Sequence, residues 1–426
     1  MGNGATSVQD RRIWFVVETV HPEDEGVGWY TSRSAFGMAD RLERSGSHGD
    51  PHFSVGAICT QPSYSRKGTR CPKRESYRGV EIFRCSSLPL DRQKLFGRLV
   101  NQLSTSLSMF CAMVYRIRRG DVIFVSSVPP MLPFLAVMAA FLRRARCVIW
   151  SFDVYPEIAV AVGVLRPRSW TTRCFTRVRN FFYRRANAVV AIGRDMKEYL
   201  ESQLSRPKRP VTVDYVPLFV DTEDVRPVPR TESLLHQELG LMDKFVVQIA
   251  GNLGFVHDVD LFLKVAKRLE DTPQIHFLLF SSGKKIPLIE KAIAEEGRTN
   301  ITVHPRLPRE RTPEIVSACD VAIGPLFVPG MYGLASPSRT YGILASGKPV
   351  LALTEEGTEV DLQIRENGCG WSIRPQDVDG FERAIREAYH HPERVRAMGD
   401  AARKAAVEHY APEQVIDRLM ADVLVD

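Results

Sequence analysis

Two serines and an arginine lie within four residues at a predicted helix start, an arrangement that suits phosphate. Ser336 has the residue type of an N-cap, Pro337 suits the first helical position, and a helical segment follows over 340–346. Ser338 and Arg339 would fall in that first turn, where a hydroxyl, a planar guanidinium and the positive end of the helix dipole can bind an anion. The pattern predicts a diphosphate site, and an ordinary capped helix with a solvated arginine is the alternative.

A Gly-x-x-Gly turn is a second candidate for phosphate binding. Gly251, Asn252 and Gly254 follow a strand predicted at 245–250 and precede a helical segment over 258–269. At the carboxyl end of a parallel strand, glycines let backbone N–H groups approach a phosphate. The same turn is common wherever a strand reverses into a helix, so both interpretations stay open.

Three glutamates follow a strand predicted at 350–353. They are Glu355, Glu356 and Glu359, and Glu359 enters the next helical segment. Acidic residues at such positions accept both hydroxyls of a ribose in other nucleotide-binding sheets. We predict ribose binding for Glu359 before the other two, and a favourable interaction with the helix N-terminus is the alternative.

Short apolar segments alternate with helical segments from one end of the chain to the other. The predicted strands are 13–17, 55–58, 80–83, 122–125, 147–150, 188–192 and 211–216, followed by 245–250, 276–280, 301–303, 321–323, 350–353 and 371–373. This alternation predicts an α/β fold with doubly wound parallel sheets.

Two segments rich in proline and charge, 205–210 and 217–229, predict a hinge between domains. We expect an N-terminal domain over 1–210 and a C-terminal domain over 211–410. A last helix over 411–426 is expected to pack near the hinge or back on the N-terminal domain.

The charge of the chain is distributed unevenly. The 426 residues carry a formal charge of +7, but residues 1–210 hold 33 basic and 17 acidic side chains, whereas the remainder holds 24 and 33. The basic half therefore predicts an anionic partner. Nucleic acid is disfavoured, because the sequence has no helix-turn-helix, RNA-recognition or zinc pattern and its acidic half would be repelled.

Cysteine usage and hydropathy bear on the compartment. The eight cysteines are scattered singly, with no CxxC pair and no clustered histidines, so neither a metal nor a disulfide framework is expected. The polar start of the chain has no signal-peptide core. The longest apolar run, 131–142, is too short for a bilayer core of about 30 Å and predicts a buried helix. A cytoplasmic location fits these features.

Arginines and aromatic residues are interleaved in one segment of the basic half, 166–185. The segment contains Arg166, Arg168, Trp170, Arg173, Phe175, Arg177, Arg179, Phe181, Phe182, Tyr183, Arg184 and Arg185. A helix with this mixture is typical of contact with an anionic lipid surface, and segment 92–119 has a similar composition. An ordinary solvated face over a core stripe is the alternative.

These motifs resemble those of the retaining, family-four glycosyltransferases of the GT-B fold, which has two facing Rossmann-like domains. Within that family the chain is most similar to bacterial O-antigen fucosamine transferases and colanic acid fucosyltransferases. The resemblance covers nearly the whole chain, and it depends on the combination and order of runs that are each weak alone. The runs are GVG at 26–28, QPSY at 61–64, YRGV at 77–80, SSVPP at 126–130, DVYPE at 153–157, GNLG at 251–254, SPSR at 336–339 and LASGKPV at 344–350.

The resemblance implies transfer of a sugar from a nucleotide-diphosphate sugar to an acceptor hydroxyl, with retention of configuration and no metal or other cofactor. Gly28 would lie near the donor diphosphate or the acceptor, and Ser338 with Arg339 would cradle the phosphates. Asp153 and Glu157 would face the interdomain cleft, where either would orient the acceptor hydroxyl or merely cap the following segment. A phosphate oxygen of the leaving group would take the acceptor proton.

Two departures from the family pattern change which residues would carry charge. The family's arginine and lysine after the strand at 245–250 are Asn252 and His257 here, so Arg339 would supply much of the positive charge. The two family glutamates spaced eight apart fall on Leu334 and Gly342, so ribose recognition would move to Glu359.

The acceptor stays open at the level of sequence. The basic half favours a lipid-linked intermediate of polysaccharide synthesis, met at the inner face of the membrane, and a soluble small molecule or natural product is the alternative. A sugar-nucleotide 2-epimerase has the same fold but needs no acceptor.

Overall fold

The computed structural model describes residues 11–23, 25–45, 53–62, 70–86, 95–205, 211–305, 307 and 311–424, and within them the strands form two sheets. The first sheet has the order β3-β4-β2-β1-β5-β6-β7-β8 and is parallel except for the β3–β4 pair. Its strands are β1 (Arg11–Val16), β2 (Phe53–Cys59), β3 (Arg74–Tyr77), β4 (Val80–Arg84), β5 (Val122–Ser126), β6 (Arg146–Ser151), β7 (Ala188–Ala191) and β8 (Thr212–Tyr215).

The second sheet is parallel throughout and has the order β11-β10-β9-β12-β13-β14. Its strands are β9 (Phe245–Asn252), β10 (Ile275–Ser282), β11 (Ile301–His304), β12 (Val321–Leu326), β13 (Val350–Leu353) and β14 (Gly370–Ile373). The prediction of two doubly wound sheets is confirmed.

Helices connect the strands and cover the sheets. In the first part of the chain they are α1 (Gly26–Ser45), α2 (Leu95–Arg116), α3 (Leu132–Arg143), α4 (Glu157–Ala161), α5 (Trp170–Tyr183) and α6 (Arg194–Leu204). In the second part they are α7 (Leu234–Glu238), α8 (Val259–Arg268), α9 (Ile286–Glu296), α10 (Thr312–Ser317), α11 (Arg339–Ala345), α12 (Glu359–Asn367), α13 (Val378–His390), α14 (Pro392–His409) and α15 (Pro412–Leu424).

The central strands are continuous apolar runs because helices cover both faces of a parallel sheet. All five residues of β5 are buried, and Phe124 packs edge-on against Phe15 of β1. Strand β3 was not predicted, because its sequence, Arg-Glu-Ser-Tyr, is polar and it lies at the sheet edge with three of its four residues exposed.

The first sheet extends past the boundary predicted at residue 210. Strand β8 pairs in parallel with β7, so the N-terminal domain includes residues up to Tyr215. The chain returns to that domain at its end, where α15 lies against α1 and Arg41 donates from Nη2 to the backbone oxygen of Glu413 over 2.9 Å.

Helix α3 occupies the apolar run predicted to form a buried helix, but only one side of it is buried. Its Phe134 and Val137 lie in the core, whereas Phe141 and Leu142 at its end are exposed. No helix among the described residues combines the length and the hydropathy needed to span a bilayer.

Candidate active site

A cavity of about 660 Å³ lies between the two domains. Helix α1 contributes Trp29 and Tyr30, and the segment that links the domains contributes Phe219. From the second domain, the end of β9 and the start of α11 contribute Gly251, Ser338, Arg339, Tyr341 and Gly342. The cavity thus meets the carboxyl end of β9, the edge at which doubly wound sheets bind their ligands.

Arg339 is the first residue of α11, and its guanidinium lies over the end of β9. Its Nη2 donates to the backbone oxygen of Asn252 over 2.6 Å, and its Cζ is 3.7 Å from the position that a Cβ would take on Gly251. Its Nη1 is buried without a hydrogen-bond partner, and no carboxylate forms an ion pair with the side chain, among the residues that the structure describes. Burial lowers the pKa of Arg339 to about 10, so it is cationic at neutral pH. This arrangement suits an anion.

Two glycines allow the backbone to pack closely beneath Arg339. Gly251 has a φ of +123°, a conformation that residues with a side chain rarely adopt. Gly283, which follows β10, also has positive φ, and a Cβ there would collide with the backbone oxygen of Leu253 at 2.5 Å. Gly251 and Asn252 therefore lie against Arg339, and nothing in the sequence indicated the contribution of Gly283.

His257 contacts both Arg339 and the glycine turn. Its Nε2 is 3.1 Å from Nη2 of Arg339, and its Nδ1 is 3.1 Å from the nitrogen and 3.3 Å from the oxygen of Gly254. Burial and then the charge of Arg339 lower the pKa of His257 to about 3, so the ring is neutral near pH 7. The Gly254 N–H points at this ring.

The N-cap of the helix that begins at Arg339 lies two residues later than predicted. Ser338 is its N-cap residue and makes no capping bond with its side chain, so the expected N-cap role of Ser336 is wrong. Ser338 is exposed at the cavity, whereas Oγ of Ser336 is buried without a partner. With only seven residues in α11, the side chains rather than the helix dipole define the site.

Glu359 does not face the cavity, which corrects the ribose prediction. The side chain is 1% exposed, and its carboxylate accepts from Arg194, Tyr215 and Gln363. Arg194 and Tyr215 belong to the first domain, so Glu359 joins the two domains. Sequence could not reveal this role, because these partners are 165 and 144 positions away.

The other two glutamates hold local structure. Glu355 accepts from the backbone nitrogens of Gly330 and Tyr332, over 3.1 and 2.8 Å, and orders that loop. Glu356 is exposed and pairs with Arg365 and Arg374.

Asp153 lies where the two domains touch. It forms a β-bridge with Ala335, the residue before the Ser336–Arg339 turn, and Val154 donates to the oxygen of Leu334 over 3.0 Å. Burial raises the pKa of its carboxyl to about 6. The structure thus places Asp153 beside the predicted phosphate-binding turn.

Glu157 is held by a buried cation. Nη1 of Arg179, a residue that is 2% exposed, donates to its Oε2 over 2.5 Å and to the oxygen of Tyr155 over 3.1 Å. This pair connects α4 to α5, and it removes Arg179 from the cations predicted to meet a lipid surface.

Gly28 serves helix packing and does not line the cavity. A Cβ on Gly28 would lie 2.7 Å from Oγ1 of Thr19, so glycine lets α1 approach the loop after β1. Its neighbours Gly26 and Trp29 do line the cavity. The aromatic pair Trp29–Tyr30 was missed, although its position directly after Gly28 was a usable signal.

Three adjacent helices, α2, α3 and α5, expose large apolar side chains on the N-terminal domain. Phe141 is 85% exposed, Tyr115 84% and Trp170 78%. The outer helical face, as we call it, comprises Leu107, Tyr115, Met138, Phe141, Leu142, Trp170, Val178 and Phe181. None of the three helices contains an aspartate or glutamate. Of the aromatic residues predicted to face lipid, Phe175, Phe182 and Tyr183 pack inward instead.

The described residues include no group of three or more His, Cys, Asp or Glu side chains placed to hold a metal ion.

Two family models match consecutive parts of the chain. Residues 26–216 match the model for a glycosyl transferase 4-like domain, and residues 232–405 match that for glycosyl transferases group 1. A relative described as a probable glycosyltransferase, WbjE of Pseudomonas aeruginosa, is 29% identical over 297 residues, which are 70% of this chain and 73% of WbjE.

Solved structures have the same fold. Anabaena HepE in complex with UDP and glucose has a TM-score of 0.69 at 14% identity, over 97% of this chain and 99% of HepE. WaaG, a glycosyltransferase involved in lipopolysaccharide biosynthesis, has a TM-score of 0.66 at 14% identity, over 97% of this chain and all of WaaG.

Fold, cavity and family models together define the class: the chain belongs to the group 1 glycosyltransferases of the GT-B fold, with a 4-like N-terminal domain. It is a nucleotide-sugar-dependent glycosyltransferase, as its resemblance to family-four enzymes implied.

Proposed function

We propose that this enzyme transfers a sugar from a nucleoside diphosphate sugar to an acceptor hydroxyl with retention of configuration, and that Arg339 binds the diphosphate. The observation that carries the proposal is that the positive charge of this guanidinium is not neutralised in the part of the chain that the structure describes. It lines the interdomain cavity, its Nη1 has no partner among the described residues, and no carboxylate there neutralises it. A partly buried cation with a free donor is stabilised by a bound anion. The exposed hydroxyl of Ser338 lies at the same edge.

In the proposed reaction, the bond between the anomeric carbon and a phosphate oxygen breaks, and the acceptor oxygen bonds to the same face of that carbon. The acceptor proton passes to an oxygen of the departing diphosphate, so no protein base is required. Negative charge grows on the diphosphate in the transition state, where Arg339 stabilises it. Loss of one such preorganised donor costs about 10²–10³ in kcat in enzymes of other classes.

Asp153 is the proposed contact of the acceptor hydroxyl. Its β-bridge to Ala335 brings it beside the Ser336–Arg339 turn. Its carboxylate has no ion-pair partner among the described residues. Glu157 is left out of this proposal because the buried Arg179 holds its carboxylate.

A uridine diphosphate sugar is the first donor to test. The UDP complex of HepE, which has the same fold, supports this choice. A cavity of about 660 Å³ is in the usual range of about 300–1,000 Å³ for small-molecule sites.

A lipid-linked acceptor at an anionic membrane surface is the proposed second substrate. The outer helical face exposes apolar side chains, and its three helices carry arginines without any acidic residue. Apolar side chains among cations bind the headgroup region of anionic bilayers. WaaG, which has the same fold, is involved in lipopolysaccharide biosynthesis, and this supports the same class of acceptor.

The proposal is tested by calorimetry with a panel of nucleoside diphosphates and their sugars, on the wild type and on Arg339→Ala. We expect one diphosphate to bind selectively and to bind the variant at least about tenfold more weakly, because a charged hydrogen bond is lost. Equal binding by both proteins would remove Arg339 from the site. Nucleotide release without any acceptor, with a changed sugar as product, would indicate an epimerase instead.

A further inference from the structure

We infer that His257 is a positioning residue for the transfer reaction: as a neutral hydrogen-bond acceptor, it holds the guanidinium of Arg339 over the glycine turn without neutralising it. The inference rests on the proposed role of Arg339 at the diphosphate. It concerns the position at which the resemblance to the family implied a lysine.

The contacts of the ring select one tautomer. A guanidinium nitrogen only donates, so the 3.1 Å contact between Nη2 of Arg339 and Nε2 of His257 requires Nε2 to accept. Nδ1 then carries the proton and donates to the oxygen of Gly254 at 3.3 Å. In this tautomer the Gly254 N–H, 3.1 Å from Nδ1, faces another donor. The opposite tautomer would accept from that N–H but would set Nη2 of Arg339 against a donor at Nε2. Since a hydrogen bond from a charged donor is about twice as strong as a neutral one, the first tautomer is favoured.

The backbone fixes the ring in this place. His257 is 6% exposed and forms a β-bridge with Phe327, while Val328 donates to the oxygen of Val256 over 3.0 Å. This pairing holds the point at which the ring is attached beside Arg339.

The neutral state of the ring matters for the charge at the site. A carboxylate at this position would pair with Arg339 and compete with the diphosphate, and a lysine would repel the guanidinium from the turn. A neutral acceptor fixes the side chain of Arg339 and leaves one full positive charge for the ligand. Nη1, which has no partner among the described residues, is the donor left over for that ligand.

Two substitutions separate hydrogen bonding from space filling. His257→Phe keeps a ring of similar size and removes the acceptor, whereas His257→Gln keeps an acceptor oxygen. We expect His257→Phe to weaken binding of UDP, or of the diphosphate that the panel selects, by about tenfold. His257→Gln should stay within about threefold of the wild type. Binding of the matching nucleoside, which has no phosphate, should not change in either variant.

A double-mutant cycle with Arg339→Ala gives the decisive readout. In the Arg339→Ala background, His257→Phe should change diphosphate affinity by less than about twofold, because the side chain that it positions is gone. An undiminished effect in that background, or an equal loss of nucleoside binding, would overturn the inference.

Failure of the inference and failure of the proposed function give different results. If Arg339→Ala weakens diphosphate binding and both His257 variants bind like the wild type, only the positioning role of His257 is wrong. If Arg339→Ala binds the diphosphate as tightly as the wild type, the proposed site itself is wrong.

Discussion

Arg194 donates to the buried carboxylate of Glu359 from its backbone nitrogen, from Nε and from Nη2, over 2.9, 3.0 and 3.3 Å. One residue belongs to the N-terminal domain and the other to the C-terminal domain, and Tyr215 adds a fourth bond of 2.7 Å from the first domain. The contact between the domains therefore centres on a carboxylate that is almost fully buried.

Glu359→Ala should destabilise the protein by about 2 kcal/mol, because it leaves the donors of Arg194 and Tyr215 without their acceptor. The melting temperature should fall by several degrees. Glu366→Ala is the matched control, since Glu366 binds the same arginine at the exposed surface and should cost less than about 0.5 kcal/mol. An unchanged melting temperature together with a raised donor KM would restore the ribose role.

Arg339→Ala should lower kcat by about 10²–10³ at saturating donor while the protein stays folded, because charge stabilisation of the leaving diphosphate is lost. The kcat of Arg339→Lys should lie between those of the wild type and Arg339→Ala, since lysine keeps the charge and loses the planar, two-donor geometry of the guanidinium. Arg374→Ala, which removes an exposed arginine, is the control and should leave kcat unchanged. Steady-state kinetics with a wild-type rate in Arg339→Ala would contradict the assignment.

The pH profile of the transfer reaction should have an ascending limb that reports the ionisation of Asp153. Burial raises the pKa of its carboxyl to about 6, so the carboxylate that we propose to orient the acceptor forms only as the pH rises through that value. We expect kcat/KM for the acceptor to increase up to about pH 6 and then level. Asp153→Asn should lower this parameter and abolish the limb; a limb that persists in the variant belongs to another group.

The same raised pKa sets the sign of a stability effect. A carboxyl whose folded pKa exceeds its unfolded value stabilises the fold in its protonated form, and this advantage is lost between about pH 4 and 6. Asp153→Asn should therefore melt at a higher temperature than the wild type at pH 7. The difference should shrink below pH 4, as melting curves at both pH values can check.

Phe141→Ser should weaken binding to phosphatidylglycerol vesicles at least about fivefold, because an inserted phenylalanine contributes about 1.5–3 kcal/mol. Added salt should weaken binding of the wild type, since the arginines of the three helices that carry the outer helical face act electrostatically. Leu288→Ser, which alters a half-exposed leucine in the other domain, is the control for a vesicle flotation assay. If Phe141→Ser floats with the vesicles as well as the wild type does, or if the wild type does not float at all, a soluble acceptor is favoured.

Two glycines near the site should respond in opposite ways to alanine. Gly342 lies inside α11, and a Cβ there would meet nothing within 4 Å, so Gly342→Ala should stabilise by about 0.5–1 kcal/mol. Gly283→Ala should destabilise, because its φ of +119° and its contact with Leu253 both exclude a side chain. Thermal melting of the pair tests the backbone geometry under Arg339, and equal shifts would contradict it.

The strands could be predicted because burial on both faces of a parallel sheet leaves runs of β-branched and aromatic residues in the sequence. Strand β3 could not, since its residues are polar and its position depends on pairing with β4. A role for Arg339 could be predicted, because the consecutive residues 336–339 indicate the start of a helix. The partners of Glu359 and Arg179 carry no local signal, because they come together only through packing of distant elements.

Two segments of the chain connect the two domains. The chain passes from the first domain to the second near Val220 and returns near Tyr410, and Val220 donates to the oxygen of Tyr410 over 2.9 Å. We expect two adjacent covalent crossings to limit twisting and sliding of the domains more than bending about this pair. Helix α15, which follows the second crossing and packs against α1, thereby takes part in holding the two domains together.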